Sequence, residues 1–411
     1  MYQERREKFI ESLPENSLTV LFAGKAPYAV GDEKYPFEVD RSFYYFTGLD
    51  KEGLALLIVK IGEKSHEILF IEPFDEVQAK WVGGRIRAAE ATEISGIQDV
   101  ETVDQLEAVI GSYLLSYGRK EDLILCGDLN KQELDQPNLT VDLFNKLRSQ
   151  MPGTLVLNIY PEIVALRMNK SAYEITKLRK ALAVTKSGIE TMMSYAHEGI
   201  WENELEAYFD FVLKCNQCKH AFPTICATGK NATVLHYSEN NQQAQPDDLV
   251  LCDLGAAYEY YNADITRTFP VNGHFTDRQK QIYDIVLRGN KMIAEKARPG
   301  VTTKQLNQEL LKFFEVELGN IGLLENGKKV SDYYWHGVSH MIGLETHDVT
   351  LPDLPLEPGC VISDEPGLYL EDEGIGIRIE DDLLITRNGC EVLSKDIIKE
   401  IDEIEAFMAK N

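Results

Sequence analysis

The sequence predicts two domains of different build: a small α/β domain over residues 1–160 and, beyond a connecting stretch at 161–170, an α+β domain over 171–411. Three observations carry that expectation. A chain of 411 residues exceeds one ordinary hydrophobic core, so two domains are the default. In the first half, apolar runs of strand length alternate with helical patterns, as in α/β proteins. In the second half, helices announced by capping boxes stand apart from strand-like runs, which is the α+β arrangement.

Taken in order, SLTVLF, GLALLIVKI, EILFIE and DLILCGD read as strands between Ser17 and Asp128, with helices near 101–117 and 131–150. YPEIVALRMNK reads as the connection. Ser171 and Glu174 then form an S-x-x-E capping box that opens a helix running to about Glu198. Thr276 with Gln279 and Thr302 with Gln305 open two more, the first of which stops at Arg298-Pro299-Gly300. DDLVLCDLG, YYNADITRTF, GCVIS, GIGIRIE and DLLIT complete the second half as strands. No internal repeat is visible at this level.

Composition narrows the function class. The 42 basic and 67 acidic residues leave a formal charge of -25, which repels nucleic-acid phosphates and anionic lipid alike. No apolar run approaches the length of a membrane span, and MYQERREKFIESLPEN lacks the apolar core of a signal peptide, so a cytoplasmic protein with small-molecule or peptide partners is expected. The 7 cysteines are odd in number and scattered, which fits a reducing compartment rather than a disulfide framework. Cys215-Asn-Gln-Cys218 has C-x-x-C spacing, but it falls in a helical pattern with no second pair, and a structural reading outweighs a redox or zinc one.

The chemistry-bearing residues lie in the second half. LVLCD ends an apolar strand on Asp253, and Asp264 interrupts the next one, with turn-permissive Gly255 between. Two antiparallel strands would present both carboxylates to one cavity. Alternation puts Asn262, Asp264, Thr266 and Thr268 on one face and Tyr261, Ala263, Ile265 and Phe269 on the other. HGVSHMIGLETHD then concentrates His336, His340 and His347 in a chain with 8 histidines, which points to a site lining rather than three separate core histidines. SDEPGLY places Glu365 at a strand end before a Pro-Gly turn. In GIGIRIEDD, Arg378 and Glu380 share a strand face, where a simple salt bridge is the bland alternative. Two Asp, two Glu and at least one His cannot share a cavity as ionised groups without cations. Oxygen-rich ligation favours Mn²⁺, with Co²⁺ or Zn²⁺ tolerated, and four carboxylates with an imidazole suffice for two bridged ions that activate a water.

The series LCDLGAAY, YNADITRTFPVNG, HGVSHMIGLETHD, DEPGLY and GIGIRIEDD resembles the pita-bread metallopeptidases, and within them the Xaa-Pro aminopeptidase (aminopeptidase P) group. YPFEVDRSFYYFTGL, FIEPFDEVQAKWVGGRI and IVALRMNKSAYEI are similar to that group's N-terminal domain and hinge. The resemblance implies a pita-bread catalytic domain after a smaller α/β domain, as in creatinase and aminopeptidase P. It implies metal ligands at Asp253, Asp264, His340, Glu365 and Glu380, with Asp264 and Glu380 bridging two divalent ions. It places His236, His336 and His347 along the substrate, Glu365 as proton shuttle and Arg378 behind the ligand carboxylates. A metal-bridging hydroxide would then cleave the bond before proline and release the N-terminal residue. The implied partners are proline-containing peptides and further copies of the chain, as a homodimer or homotetramer with the first domain guiding assembly and access. A dipeptidase for Xaa-Pro and a non-peptidase binding module are the alternatives. Asp364 departs from the group's usual apolar residue, and alternation points it away from the metals.

Overall fold

The computed structural model describes residues 1–118, 122–129 and 138–410. The chain divides into two compact units, Met1–Arg167 and Met168–Asn411.

In the first unit a six-stranded mixed sheet runs in the order Asp99–Thr102, Lys64–Ile71, Ala55–Ile61, Ser17–Phe22, Ile124–Gly127, Leu155–Asn158. Ser17–Phe22 pairs antiparallel with Ala55–Ile61 and parallel with Ile124–Gly127. Leu18, Val20, Leu57, Phe70 and Leu125 from these strands join Ile110 and Phe144 from two helices in one core. The helix expected over 101–117 begins only at Leu106, because Asp99–Thr102 is a strand paired parallel with Lys64–Ile71. Its β-branched Val100 and Thr102 favour the pleated sheet over a helix start. Of the helix expected over 131–150, residues 131–137 lie outside the described residues; Leu139–Gln150 is helical, with the Asn138 side chain capping the Val141 N–H. The stretch 161–170, read as a connection, holds the helix Tyr160–Arg167. Its Ile163 and Val164 are buried, and Arg167 Nη1 donates to Ser42 Oγ at 3.0 Å, so it belongs to the first unit's packing.

The second unit repeats one order of elements. The helices Ala172–Tyr195 and Glu202–Cys215 precede the antiparallel strands Ile225–Thr228, Leu249–Leu254 and Ile265–Pro270. The helices Asp277–Lys296 and Thr303–Asn320 precede the antiparallel strands Val361–Asp364, Asp381–Thr386 and Gly389–Val392. All three capping boxes form, with Ser171, Thr276 and Thr302 accepting from the backbone N–H three residues on. The C-x-x-C pair straddles a helix end: the helix stops at Cys215, which is exposed, while Cys218 is buried beyond it.

Asp264 is not inside a strand, contrary to the alternation. It occupies the gap between Tyr261–Asn262 and Ile265–Pro270. The turn expected at Gly255 lies instead at Glu259 and Tyr260, both left-handed (φ 50° and 67°) between the paired strands Ala256–Tyr258 and Tyr261–Asn262. Gly255 is needed for proximity: a Cβ there would lie 1.8 Å from the Ala263 carbonyl oxygen. Likewise Glu380 follows the strand Ile375–Arg378 rather than lying in it.

Candidate active site

Every sequence-derived candidate faces one cavity of about 630 Å³ in the second unit. Leu249–Leu254 buries each of its residues except Asp253, which is half-buried and lines the cavity. Asp253 pairs across the ladder with Thr266, and Asp264 stands two residues before that partner. Glu365 leaves the end of Val361–Asp364, and its N–H donates to the Val338 carbonyl at 3.0 Å, which fixes the turn beside the histidine segment. The bond from His340 N–H to Ser363 Oγ (2.9 Å) ties that segment to the same strand.

At the centre, Asp264, His340 and Glu380 offer donor atoms all within 4.8 Å of one another. His340 Nε2 lies 3.3 Å from Asp264 Oδ2 and 3.5 Å from Glu365 Oε1. His340 Nδ1 donates to the Met341 carbonyl at 3.1 Å, which orients Nε2 toward the acids. Thr266 Oγ1 donates to Glu380 Oε2 at 2.7 Å and accepts from Arg378 Nε at 3.0 Å. A simple Arg378–Glu380 salt bridge, the bland alternative, is not the main contact of Arg378. Its Nη2 donates to Asp253 Oδ2 at 2.6 Å and its Nη1 to the Tyr369 hydroxyl at 2.9 Å.

Charge is crowded here. Burial pushes Asp264 up to about 7, with Asp253 and Glu365 adding repulsion and His340 offsetting part of it. Burial likewise raises Glu365, and it raises Glu380 well above the usual carboxylate range, reinforced by the neighbouring acids. For His340 burial works downward, but Asp264 and Glu365 outweigh it and carry the imidazole to about 9. Burial and the nearby Arg378 push His336 down to about 4, so its ring is neutral. His336 Nδ1 donates to the Gly337 carbonyl (2.8 Å), which leaves Nε2 to accept from the Tyr369 hydroxyl (2.9 Å). His347, lowered by burial and by His340, stands edge-on to His340 with ring centroids 4.3 Å apart. His236 is exposed at the cavity wall.

A cation pair fits this donor set. Asp253 Oδ1 is buried with no hydrogen-bond partner among the described residues, although its other oxygen is held by Arg378. Such an orphaned oxygen is costly unless something positive meets it. Asp364 also has both oxygens buried with no hydrogen-bond partner among the described residues, but it lies outside the cavity lining, and among the charges that reach it are Asp381 and Lys399. Sequence reasoning missed Tyr369, whose hydroxyl joins Arg378 to His336 behind the cavity wall, and the apolar lining of Phe222, Pro223, Ile225 and Leu235. Thr266 did carry a signal, since alternation put it on the polar face expected for Asp264.

This fold and this carboxylate–imidazole centre are those of a metallopeptidase. Residues 176–387 match the model of metallopeptidase family M24, and residues 2–121 match that of the aminopeptidase P N-terminal domain. A Bacillus anthracis structure provisionally assigned as an aminopeptidase P superposes with a TM-score of 0.96 at 46% identity, covering 100% of this chain and 98% of that one. The Escherichia coli Xaa-Pro aminopeptidase is 31% identical over 99% of this chain and 97% of its own length. Aminopeptidase P from E. coli, solved with the inhibitor Pro-Leu, matches at a TM-score of 0.90 and 31% identity, over 100% of this chain and 98% of that one. The chain belongs to metallopeptidase family M24, in its Xaa-Pro aminopeptidase branch, and its second unit is the pita-bread domain of that branch.

Proposed function

We propose that the protein removes the first residue from peptides whose second residue is proline. The observation that carries this reading is the set of Asp253, Asp264, His340, Glu365 and Glu380 around one cavity, Asp264 and Glu380 buried and the others half-buried, with an Asp253 oxygen left without a partner among the described residues. These five would hold two divalent ions, manganese before cobalt or zinc on an oxygen-rich donor set. When bound, the ions would supply Lewis acidity and a water that ionises near neutral pH.

The chain's own residues do the rest. Glu365, its affinity for a proton raised by burial, is suited to take a proton from the attacking water and pass it to the departing imide nitrogen. Neutral His347 can donate to the scissile carbonyl as charge develops there. His236 and His336 line the same wall, which supports a substrate-side role for both; Gly337 and Tyr369 engage both ring nitrogens of His336, so its part is to shape the wall through its ring face. Arg378 fixes the Asp253 carboxylate from behind. Phe222, Pro223, Ile225 and Leu235 offer apolar surface against which a pyrrolidine ring could pack, and the proline bond has no N–H for a site to satisfy.

The proposed ligand and substrate residues lie in the second unit, which supports a division of labour between a first domain for assembly and access and a catalytic second domain, with the boundary after Arg167 in place of a linker over 161–170. We infer a homodimer or homotetramer. Trp81 and Val82 of the first unit are 85% and 84% exposed, apolar surface that self-association would cover, and a solution mass measurement checks it. A cytoplasmic location rests on the free thiols of all 7 cysteines. Comparing Ala-Pro-Ala with Ala-Pro tests the aminopeptidase reading against a dipeptidase: the tripeptide should be cleaved with the higher kcat/KM, and cleavage of the dipeptide alone would reverse the assignment.

A further inference from the structure

The structure assigns a positioning role to Glu202, the first residue of the Glu202–Cys215 helix, which lies in none of the ligand motifs. Its side chain is fully buried and both oxygens are saturated. Oε1 accepts from Thr228 N–H (2.7 Å), Thr228 Oγ1 (2.8 Å) and Asn231 Nδ2 (3.0 Å). Oε2 accepts from the Tyr237 hydroxyl (2.7 Å) and Gln242 N–H (2.9 Å). Thr228 and Asn231 precede His236 in the chain, and Tyr237 and Gln242 follow it. One carboxylate thus fastens both arms of the loop that carries His236.

The rest of the loop is seated to match. Leu235 and Tyr237 pack on the cluster of Ile225, Ala227, Ala232, Leu251 and Tyr369, while His236 between them lines the cavity. Gly376 leaves room for this: a Cβ there would lie 2.0 Å from the Ala232 carbonyl oxygen. Asn240 anchors the far end, accepting from Cys226 N–H at 3.0 Å and donating to the Thr224 carbonyl at 2.9 Å. Only an acid suits the Glu202 position. A carboxylate accepts on both oxygens, whereas an amide would turn an NH₂ donor toward donors on one side. Leaving those buried donors unmatched frees the arm that they hold.

Glu202 therefore acts through His236, and this inference rests on the proposed function, in which His236 meets the substrate. The test is a double-mutant cycle with Glu202→Gln and His236→Ala, reading kcat and KM on Ala-Pro-Ala, metal content by elemental analysis, and amide hydrogen exchange across 229–242. Glu202→Gln should keep its metal, exchange faster across the loop and lose on the order of 100-fold in kcat, as for a misplaced substrate contact. Added to His236→Ala, it should cost less than about twofold more, because the two act as one unit. Losses that multiply, wild-type kcat in Glu202→Gln, or loss of metal from that variant would each overturn the assignment. If Glu202→Gln fails to fold, Tyr237→Phe removes one of the clamp's bonds, keeps the ring's packing and enters the same cycle with a smaller expected loss. A metal-loaded wild type that leaves Ala-Pro-Ala intact would count against the proposed function instead, and the exchange measurement would still decide whether Glu202 holds the loop.

Discussion

Asp253 has its two oxygens in opposite situations, one accepting a 2.6 Å bond from Arg378 and the other buried with no partner. One oxygen is anchored, and the other faces the proposed metal site. The same reasoning separates ligands from substrate contacts. Asp264→Ala should abolish metal binding and nearly all turnover, since Asp264 stands within 3.3 Å of His340 at the middle of the donor set. His347→Ala should keep its metal by elemental analysis yet lose most of its kcat; a metal-free His347→Ala would make that histidine a ligand. Protons compete with the metal here. Asp264 (about 7) and His340 (about 9) both hold a proton more tightly than usual, so a metal must displace protons that are present at neutral pH. Metal affinity should accordingly rise with pH between about 6 and 9, by roughly tenfold per proton displaced per pH unit, with protons released in calorimetry. An affinity flat across that range would contradict the pairing. The acids and histidines were legible in the sequence because such groups are rarely gathered without cause. Leu235 and Tyr369 were not, since a leucine or tyrosine in an apolar run reads as core whether or not the leucine meets a cavity or the tyrosine hydroxyl holds Arg378 and His336.

At the scale of elements, the capping boxes at Ser171, Thr276 and Thr302 marked three helix starts from sequence alone, because that signal is local. What depends on partners was less visible. Asp99–Thr102 became a strand through its parallel partner Lys64–Ile71, and the twofold recurrence of helix pair and antiparallel strands has no counterpart in visible sequence repetition. Alternation singled out Thr266, which pairs with Asp253 across the ladder and bonds Glu380, but overlooked the small hairpin that leaves Asp264 outside the strand. That hairpin gives Gly255 a testable weight. Gly255→Ala would drive a Cβ into the Ala263 carbonyl, and relief requires moving the backbone that aims Asp264. The variant should lose about 1–3 kcal/mol of stability in denaturant melts, as overpacked sites do, and bind metal more weakly. Unchanged stability together with unchanged metal affinity would show that this approach is softer than its geometry implies.

At the scale of the molecule, the formal charge of -25 and the M24 architecture agree on the kind of partner, a small peptide rather than a polyanion. Two units were legible from length, whereas the boundary at Arg167 was not, because the chain continues as a helix through the stretch that read as a connection. Within the second unit, residues distant in sequence, from His236 to Glu380, come to one cavity, and the resemblance in ordered motifs had anticipated that gathering. The central question is whether that cavity, loaded with metal, selects proline. The most direct measurement is the steady-state rate of N-terminal residue release from Ala-Pro-Ala and from Ala-Ala-Ala, by protein stripped with a chelator and then titrated with Mn²⁺. The expected result is no activity when stripped, recovery that saturates at two ions per chain, and a strong preference for Ala-Pro-Ala. Full activity in the stripped protein, or equal rates on the two peptides after Mn²⁺ is restored, would contradict it.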